Sequence, residues 1–167
     1  MDKIKFSLIV VIYIGEYKFG QRCGKGMTMF FNGDFHEGFY KNNKMNGFGT
    51  YTDANGVIFE GNFVDNKKSG KGVLTFPSGD VVEGEFQNNN LNGHAVFKYA
   101  NNDLFEGTYV DNEKVRGKYT YQSGNIFDGD FKNNEKFQGK FFFSKTGHLY
   151  DAEFCNKKLV KYLRLDY

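Results

Sequence analysis

An all-β fold, laid out as an elongated single-layer, twisted antiparallel meander of about seven β-hairpins, is what this sequence predicts, and three observations predict it. First, Tyr13, His36, Phe59, Val82, Phe105, Phe127 and Tyr150 recur at spacings of 23, 23, 23, 23, 22 and 23 residues, and a fixed period in this range marks a repeat array. Second, counting the unit from 1 at that residue, position 3 is Gly15, Gly38, Gly61, Gly84, Gly107 and Gly129 before Ala152, and position 5 is aromatic in every copy: Tyr17, Tyr40, Phe63, Phe86, Tyr109, Phe131 and Phe154. Third, two sites per unit carry residues that tolerate a left-handed backbone. Position 8 holds Gly20, Asn43, Asn66, Asn89, Asn112 and Asn134, and position 21 holds Gly33, Gly56, Gly79, Asn102 and Gly147. Each unit therefore reads strand, turn, strand, turn.

Composition agrees. The 167 residues include 20 Phe, 11 Tyr and 21 Gly but a single proline, Pro77, a balance that suits aromatic strands between glycine turns and argues against long helices. The repeats leave no room for a second domain. Residues 1–12 read as a capping edge strand, because the end of a repeat array otherwise presents an unpaired strand. The basic start followed by the apolar run from Phe6 also has the look of a signal sequence, though no small-residue cleavage site follows. The array occupies 13–158. Residues 159–167 read as a closing strand, with Leu163, Leu165 and Tyr167 in slots 14, 16 and 18 of the unit.

The unit from Tyr13, Tyr-Ile-Gly-Glu-Tyr-Lys-Phe-Gly-Gln-Arg-Cys-Gly-Lys-Gly, and its rewritings from Phe59 onward resemble the MORN (membrane occupation and recognition nexus) repeat family. Repeats five and six depart from the pattern: their middle glycines, Gly117 and Gly139, stand one place late and the position-14 glycine is missing. Repeat seven breaks off after its first strand. The resemblance implies a non-catalytic scaffold for protein partners, in a cytoskeletal, ciliary or axonemal assembly. It also implies two alternatives: a peripheral tether for membrane phosphoinositides, and the regulatory repeat subunit of an enzyme such as a lipid kinase.

Side chains alternate across a strand, so positions 1, 3 and 5 share a face. If paired positions within a unit sum to 17, aromatic 1 faces position 16, glycine 3 faces glycine 14, and aromatic 5 lies over glycine 12. Positions 4 and 13 of one repeat then become neighbours: Glu16 with Lys25, Phe39 with Phe48, Glu85 with His94, and Asp130 with Lys140. On this register Glu85 couples to His94 and hardly to Lys71.

Three surfaces are candidates for binding. The position-5 aromatics Tyr17, Tyr40, Phe63, Phe86, Tyr109 and Phe131 line one face, where most of their area also serves as core. Glu37, Glu60, Glu83, Glu106, Asp128 and Asp151 form an acidic column down the opposite face, suited to a basic partner. Lys44, Lys67, Lys68, Lys114 and Lys136 make a partly basic rim at the turns. Homo-oligomers through the sheet ends are a further option.

The net charge of +2 carries no general pull toward nucleic acid or anionic membrane. His36, His94 and His148 have no Cys or His partner at metal-ligand spacing, and no phosphate loop or nucleophile elbow follows a strand. No cofactor, metal or catalytic residue is expected. Cys23 and Cys155 lie some eleven strand steps apart on this fold, beyond disulfide reach at about 4.8 Å per step. A reduced, cytoplasmic setting follows, with the cytoskeleton or cilium as the finer expectation.

Overall fold

A computed structural model describes residues 11–165; the capping strand expected at 1–12 lies outside the described residues except for Val11 and Ile12. Hairpin one is β1 (Ile12–Lys18) and β2 (Gln21–Met29), followed by β3 (Phe35–Lys41) with β4 (Lys44–Thr52) and β5 (Ile58–Val64) with β6 (Lys67–Thr75). Next come β7 (Val81–Gln87) with β8 (Asn90–Lys98) and β9 (Leu104–Val110) with β10 (Glu113–Thr120). The last pairs are β11 (Ile126–Lys132) with β12 (Glu135–Phe143) and β13 (His148–Cys155) with β14 (Lys158–Leu165). All fourteen strands join one antiparallel sheet in chain order. Packing runs between sequence neighbours, so the array is a single layer whose stability comes from adjacent repeats.

One face of that layer is the core. Position-1 rings fold along their own strand and cover the glycines at positions 3 and 14: a Cβ on Gly61 or Gly72 would sit 2.6 or 2.5 Å from the Phe59 ring. Glycine is required there by the ring above it. Repeat four confirms the cause by exchange, since Val82 is too short to reach across and position 14 carries Ala95, buried beneath it. The position-1 rings Tyr13, His36, Phe59, Phe105 and Phe127 each also meet two position-5 rings edge-on. Phe59 lies 5.3 Å from Phe63 in its own repeat and 5.0 Å from Phe86 in the next; Phe105 lies 5.5 Å from Tyr109 and 5.0 Å from Phe131. Such T-shaped pairs contribute about 0.5–1.5 kcal/mol each beyond burial.

Every hairpin turns on two successive residues at positive φ, such as Asn42 and Asn43 (49° and 68°) or Asp65 and Asn66 (49° and 69°). That is the type I′ geometry whose twist matches paired strands. The asparagine at position 8 does more than turn. Its Oδ1 accepts the backbone N–H of position 10 in the preceding repeat: Asn43 from Arg22 (2.9 Å), Asn66 from Met45 (2.8 Å), Asn89 from Lys68 (2.9 Å), Asn112 from Leu91 (2.7 Å) and Asn134 from Lys114 (2.8 Å). Repeat one, with no described strand before it, makes the same turn with Gly20.

A second set of staples joins the other ends of the repeats. Asp34, Asp80 and Asp103 accept the backbone N–H of Ala54, Ala100 and Gln122 at 3.0, 2.8 and 2.8 Å. In repeat two that acceptor is replaced by Val57, and the N–H it would have met belongs to the following repeat's Pro77, which has none. Acceptor and donor are absent together.

The register differs from the sequence expectation in one informative way. Positions do sum to 17 within a hairpin near its open end, as in His36 with Tyr51 and Gly38 with Gly49. Beyond Gly38 the ladder slips: Tyr40 pairs with Met45, leaving Asn46, Gly47 and Phe48 opposite Phe39 alone. Gly47 sits in this bulge at φ 109°, so glycine 12 serves backbone geometry there. The full sum-17 register instead links the second strand of repeats one to four to the next repeat, as where Gly47 faces Phe63 and Phe48 faces Asn62. Positions 4 and 13 are thus partners across the repeat boundary: Lys71 lies opposite Glu85, and His94 opposite Thr108.

Repeats five to seven use a shorter bulge, with one extra residue. Gly117 and Gly139 pair with Gly107 and Gly129, so they are position-14 glycines brought forward by a one-residue deletion; the glycine that is missing is number 12. Repeat six restores its length with an extra turn residue, the Phe143 carbonyl accepting from both Thr146 and Gly147. The deletion also shifts the last strand. In β14, the last strand of the described residues, Tyr162 pairs with Ala152 and Leu163 with Asp151. Tyr162 therefore takes slot 14 and Arg164 slot 16, while Leu163 turns to the outer face; Tyr167 lies outside the described residues. Repeat seven is accordingly a complete hairpin.

Candidate interaction surface

Of the position-5 aromatics, Tyr40, Phe63, Phe86, Tyr109 and Phe131 are buried, and only Tyr17, at the β1 edge, is open at 59% exposure. The rings of neighbouring repeats cover the other five, leaving little of them to meet a partner. What remains accessible on the core face is the next rank along the second strands, at unit positions 16 and 18 or their equivalents after the deletion. From Phe76 through Phe97, Tyr99, Tyr119 and Tyr121 to Phe141 and Phe143, each ring meets the next at centroid separations between 4.4 and 6.2 Å. Phe141 is buried and the others are half-buried. Strand alternation continued past position 14 was the sequence signal for this band. Position 16 stands opposite the core aromatics in the sequence pattern, and position 18 is the next residue on the same face.

The expected basic rim divides in two. Lys44 and Lys67 stand exposed at the turns, Lys44 paired with Asp65 at 3.3 Å. Lys68, Lys114 and Lys136 belong to strands, pair with Phe63, Tyr109 and Phe131, and lie across the aromatic face. Lys68 Nζ sits 5.0 Å from the Phe59 ring, Lys114 Nζ 5.1 Å from Phe105, and Lys136 Nζ 3.9 Å from Tyr119. Burial lowers all three amines, that of Lys114 to about 8 with help from the neighbouring Lys136 charge. Burial and the nearby Asp80 and Asp103 carboxylates push the Tyr99 phenol up to about 12. Asp103 is pushed up by burial too, yet hydrogen bonds from the Gln122 amide, the Tyr119 hydroxyl (2.7 Å) and Asn101 outweigh it and hold the carboxyl below its usual range.

At the other end of the same face polar residues form a relay that ends on His36, whose Nε2 is buried without a hydrogen-bond partner. Arg22 donates to Thr28 Oγ1 at 3.4 Å, Thr28 meets the Tyr40 hydroxyl at 2.7 Å, and that hydroxyl meets His36 Nδ1 at 2.7 Å. His36 is fully buried in a position-1 slot, and burial, then the Arg22 charge, depresses its pKa to about 4. It is a neutral core residue.

The acidic column stands on the outer face and is exposed throughout, at Glu37, Glu60, Glu83, Glu106, Asp128 and Asp151. Its surroundings change along the array. Glu60 lies between Thr50 and Val73, and Glu83 between Val73 and Val96. Asp128 instead lies between Lys118 and Lys140, and Lys140 also faces Asp151. Arg116 bridges to Asp130 at 2.9 Å. Among the described residues, no helix is long and apolar enough to cross a membrane, and no group of three or more His, Cys, Asp or Glu is placed to hold a metal ion.

The MORN repeat model matches residues 13–35, 36–58, 59–81, 83–104 and 105–126. This chain belongs to the MORN-repeat family. Beyond the matched residues the MORN array continues through two more hairpins, β11 to β14. A search of curated proteins finds no match. Among solved structures, the array is similar to the TCP domain of Drosophila melanogaster SAS-4 (dCPAP) in complex with a proline-rich motif of Ana2 (dSTIL), with 17% identity over 79% of this chain and 73% of that one and a TM-score of 0.48. It is also similar to the TCP10 domain of Danio rerio CPAP in complex with a peptide of Danio rerio STIL, with 14% identity over 85% and 84% and a TM-score of 0.29.

Proposed function

We propose that this MORN array is a non-catalytic scaffold that binds a protein segment along the half-open aromatic band of repeats three to six. The observation that carries the reading is that band, in which Phe97, Tyr99, Tyr119 and Tyr121 follow one another with part of each ring open to solvent. Rigid rings on strands give contact area at low entropic cost and anchor protein interfaces. Repetition offers a long regular surface, whereas catalysis needs convergent groups on a rigid frame. The setting we favour is an assembly of the cytoskeleton or cilium in the cytoplasm, as for family members of this build. The exposed acidic residues of repeats two to four provide a second, salt-sensitive surface for a basic partner.

Affinity capture from a ciliated or cytoskeleton-rich lysate, run in parallel with flotation on phosphoinositide vesicles, tests the reading. A saturable protein partner lost on Tyr119→Ala and Tyr121→Ala supports it. Head-group-selective flotation without such a partner overturns it in favour of a membrane tether.

A further inference from the structure

We propose that Lys114 and Lys136, on adjacent repeats, anchor an extended acidic peptide whose carboxylates fall three residues apart. The proposal rests on the aromatic band being a protein-binding surface and adds what that protein carries. Both ammonium groups are half-buried among rings: Lys136 Nζ lies 3.9 Å from the Tyr119 centroid and 4.9 Å from Tyr121, and Lys114 Nζ lies 5.2 Å from Tyr99 and 5.1 Å from Phe105. The Tyr99 hydroxyl is the hydrogen-bond partner of Lys114 Nζ. Among the described residues no carboxylate lies within ion-pair distance of either Nζ. Asp103, the acid whose charge reaches Lys136, already accepts from the Gln122 amide, Tyr119 and Asn101. A cation withdrawn from water without a counter-charge is unfavourable where it stands, and it meets an incoming carboxylate more strongly than a solvated lysine does.

Packing alone does not call for lysine here. The same slot holds Met45 in repeat two and Leu91 in repeat four, both buried, and both complete the core without charge. In repeat one the slot's Arg22 is satisfied within the chain, donating to the Asn43 carbonyl at 2.6 Å. Among the described residues Lys68 in repeat three is a third cation in this slot with no carboxylate in ion-pair range, but it stands alone between the Met45 and Leu91 repeats. Lys114 and Lys136 fall together, in repeats five and six, against the part of the band with three tyrosines. A hollow of about 230 Å³ opens beside them, lined in part by Tyr119, Tyr121, Phe131 and Phe154.

Spacing selects the ligand. Equivalent positions in adjacent repeats are two strands apart, about 9.6 Å. A polyproline-type extended chain returns to the same face every three residues, about 9.3 Å. A segment laid across the strands with an acidic residue at every third place therefore sets one carboxylate at each lysine and its apolar residues on the rings between. A bilayer is a poorer fit, because a flat surface meets the exposed turn lysines Lys44 and Lys67, while Lys114 and Lys136 lie down on the sheet face.

The test uses fluorescence anisotropy with a labelled peptide of four Pro-Leu-Glu triplets, compared with its Pro-Leu-Gln and Pro-Leu-Lys counterparts. Flotation on vesicles containing phosphatidylinositol bisphosphate runs alongside. The Glu peptide is expected to bind about tenfold or more tighter than the Gln peptide, less tightly as salt rises, and the Lys peptide least. Lys114→Gln with Lys136→Gln removes the preference for Glu, Lys114→Arg with Lys136→Arg retains it, and Lys44→Gln leaves it unchanged; thermal melts of each variant check the fold. Equal binding of the Glu and Gln peptides, lost on Tyr119→Ala, overturns the lysine anchors while sparing the protein-binding band. Binding of none of the peptides overturns the proposal, as does vesicle flotation that requires the two lysines and is not matched by the Glu peptide.

Discussion

Repeats one to four carry two extra residues in the second strand of each hairpin, with glycine 12 at positive φ (Gly24, Gly47, Gly70, Gly93), whereas repeats five to seven carry one extra residue and no such glycine. The halves differ on both faces as well. In the first half the acidic column runs among Thr50, Val73 and Val96, and Arg22, Thr28, Tyr40 and His36 in the core are joined by hydrogen bonds. In the second half Lys118 and Lys140 flank the acids, and the core face carries two half-buried lysines in adjacent repeats, Lys114 and Lys136, where the first half has Lys68 alone. A shared backbone plan thus supports two surfaces. The bulge is where the plan is adjusted, since one residue more or less there leaves the aromatic and glycine ladder on either side intact.

The largest expected effect breaks the ring-over-glycine arrangement. Gly72→Ala places a Cβ 2.5 Å from the Phe59 ring and should cost about 2–3 kcal/mol in urea unfolding; Phe59→Val should recover much of it. The mirror exchange belongs to repeat four: Val82→Phe should destabilise over Ala95, and Ala95→Gly should rescue it with a coupling of about 1–3 kcal/mol. Additive effects in both cycles would show that the rings do not set the glycines.

Acid should strike the first half next. His36 is held neutral with its pKa depressed to about 4, while the unfolded chain's histidine titrates near 6.5. Between these values the unfolded state binds the extra proton, so stability is full above about pH 6.5 and falls as pH drops toward 4, by about 1–3 kcal/mol. His36→Phe should remove that slope. An unchanged slope in melts across this range would place the acid sensitivity elsewhere.

A smaller effect separates the two jobs of position 8. Asn66→Gly keeps the turn (φ 69°) and loses the 2.8 Å cap on Met45 N, for about 1 kcal/mol. Asn66→Ala adds left-handed strain of about 1 kcal/mol more. Gly20→Asn in repeat one, where no described repeat precedes, should change stability by less than about 0.5 kcal/mol. The smallest effect reads the register. Lys71 with Glu85, opposite each other across the repeat boundary, should couple by about 0.2–1 kcal/mol in a double-mutant cycle. Glu85 with His94, separated by the bulge, should couple less, His94 standing 3.6 Å from Glu106 instead.

By itself the sequence determined the all-β meander of MORN-type hairpins and both turns of each unit. These follow from period, from residues that tolerate positive φ and from strand alternation, all local properties of the chain. The tertiary structure decided what depends on the next repeat over. It gave glycine 12 to the bulge and glycine 14 to the ring above it, and it paired Lys71 with Glu85. It buried five of the seven position-5 aromatics under their neighbours, and it laid Lys68, Lys114 and Lys136 across the aromatic face. A ladder slip within one hairpin and a ring arriving from the adjacent repeat leave no periodic trace of their own, which is why those assignments required the assembled sheet.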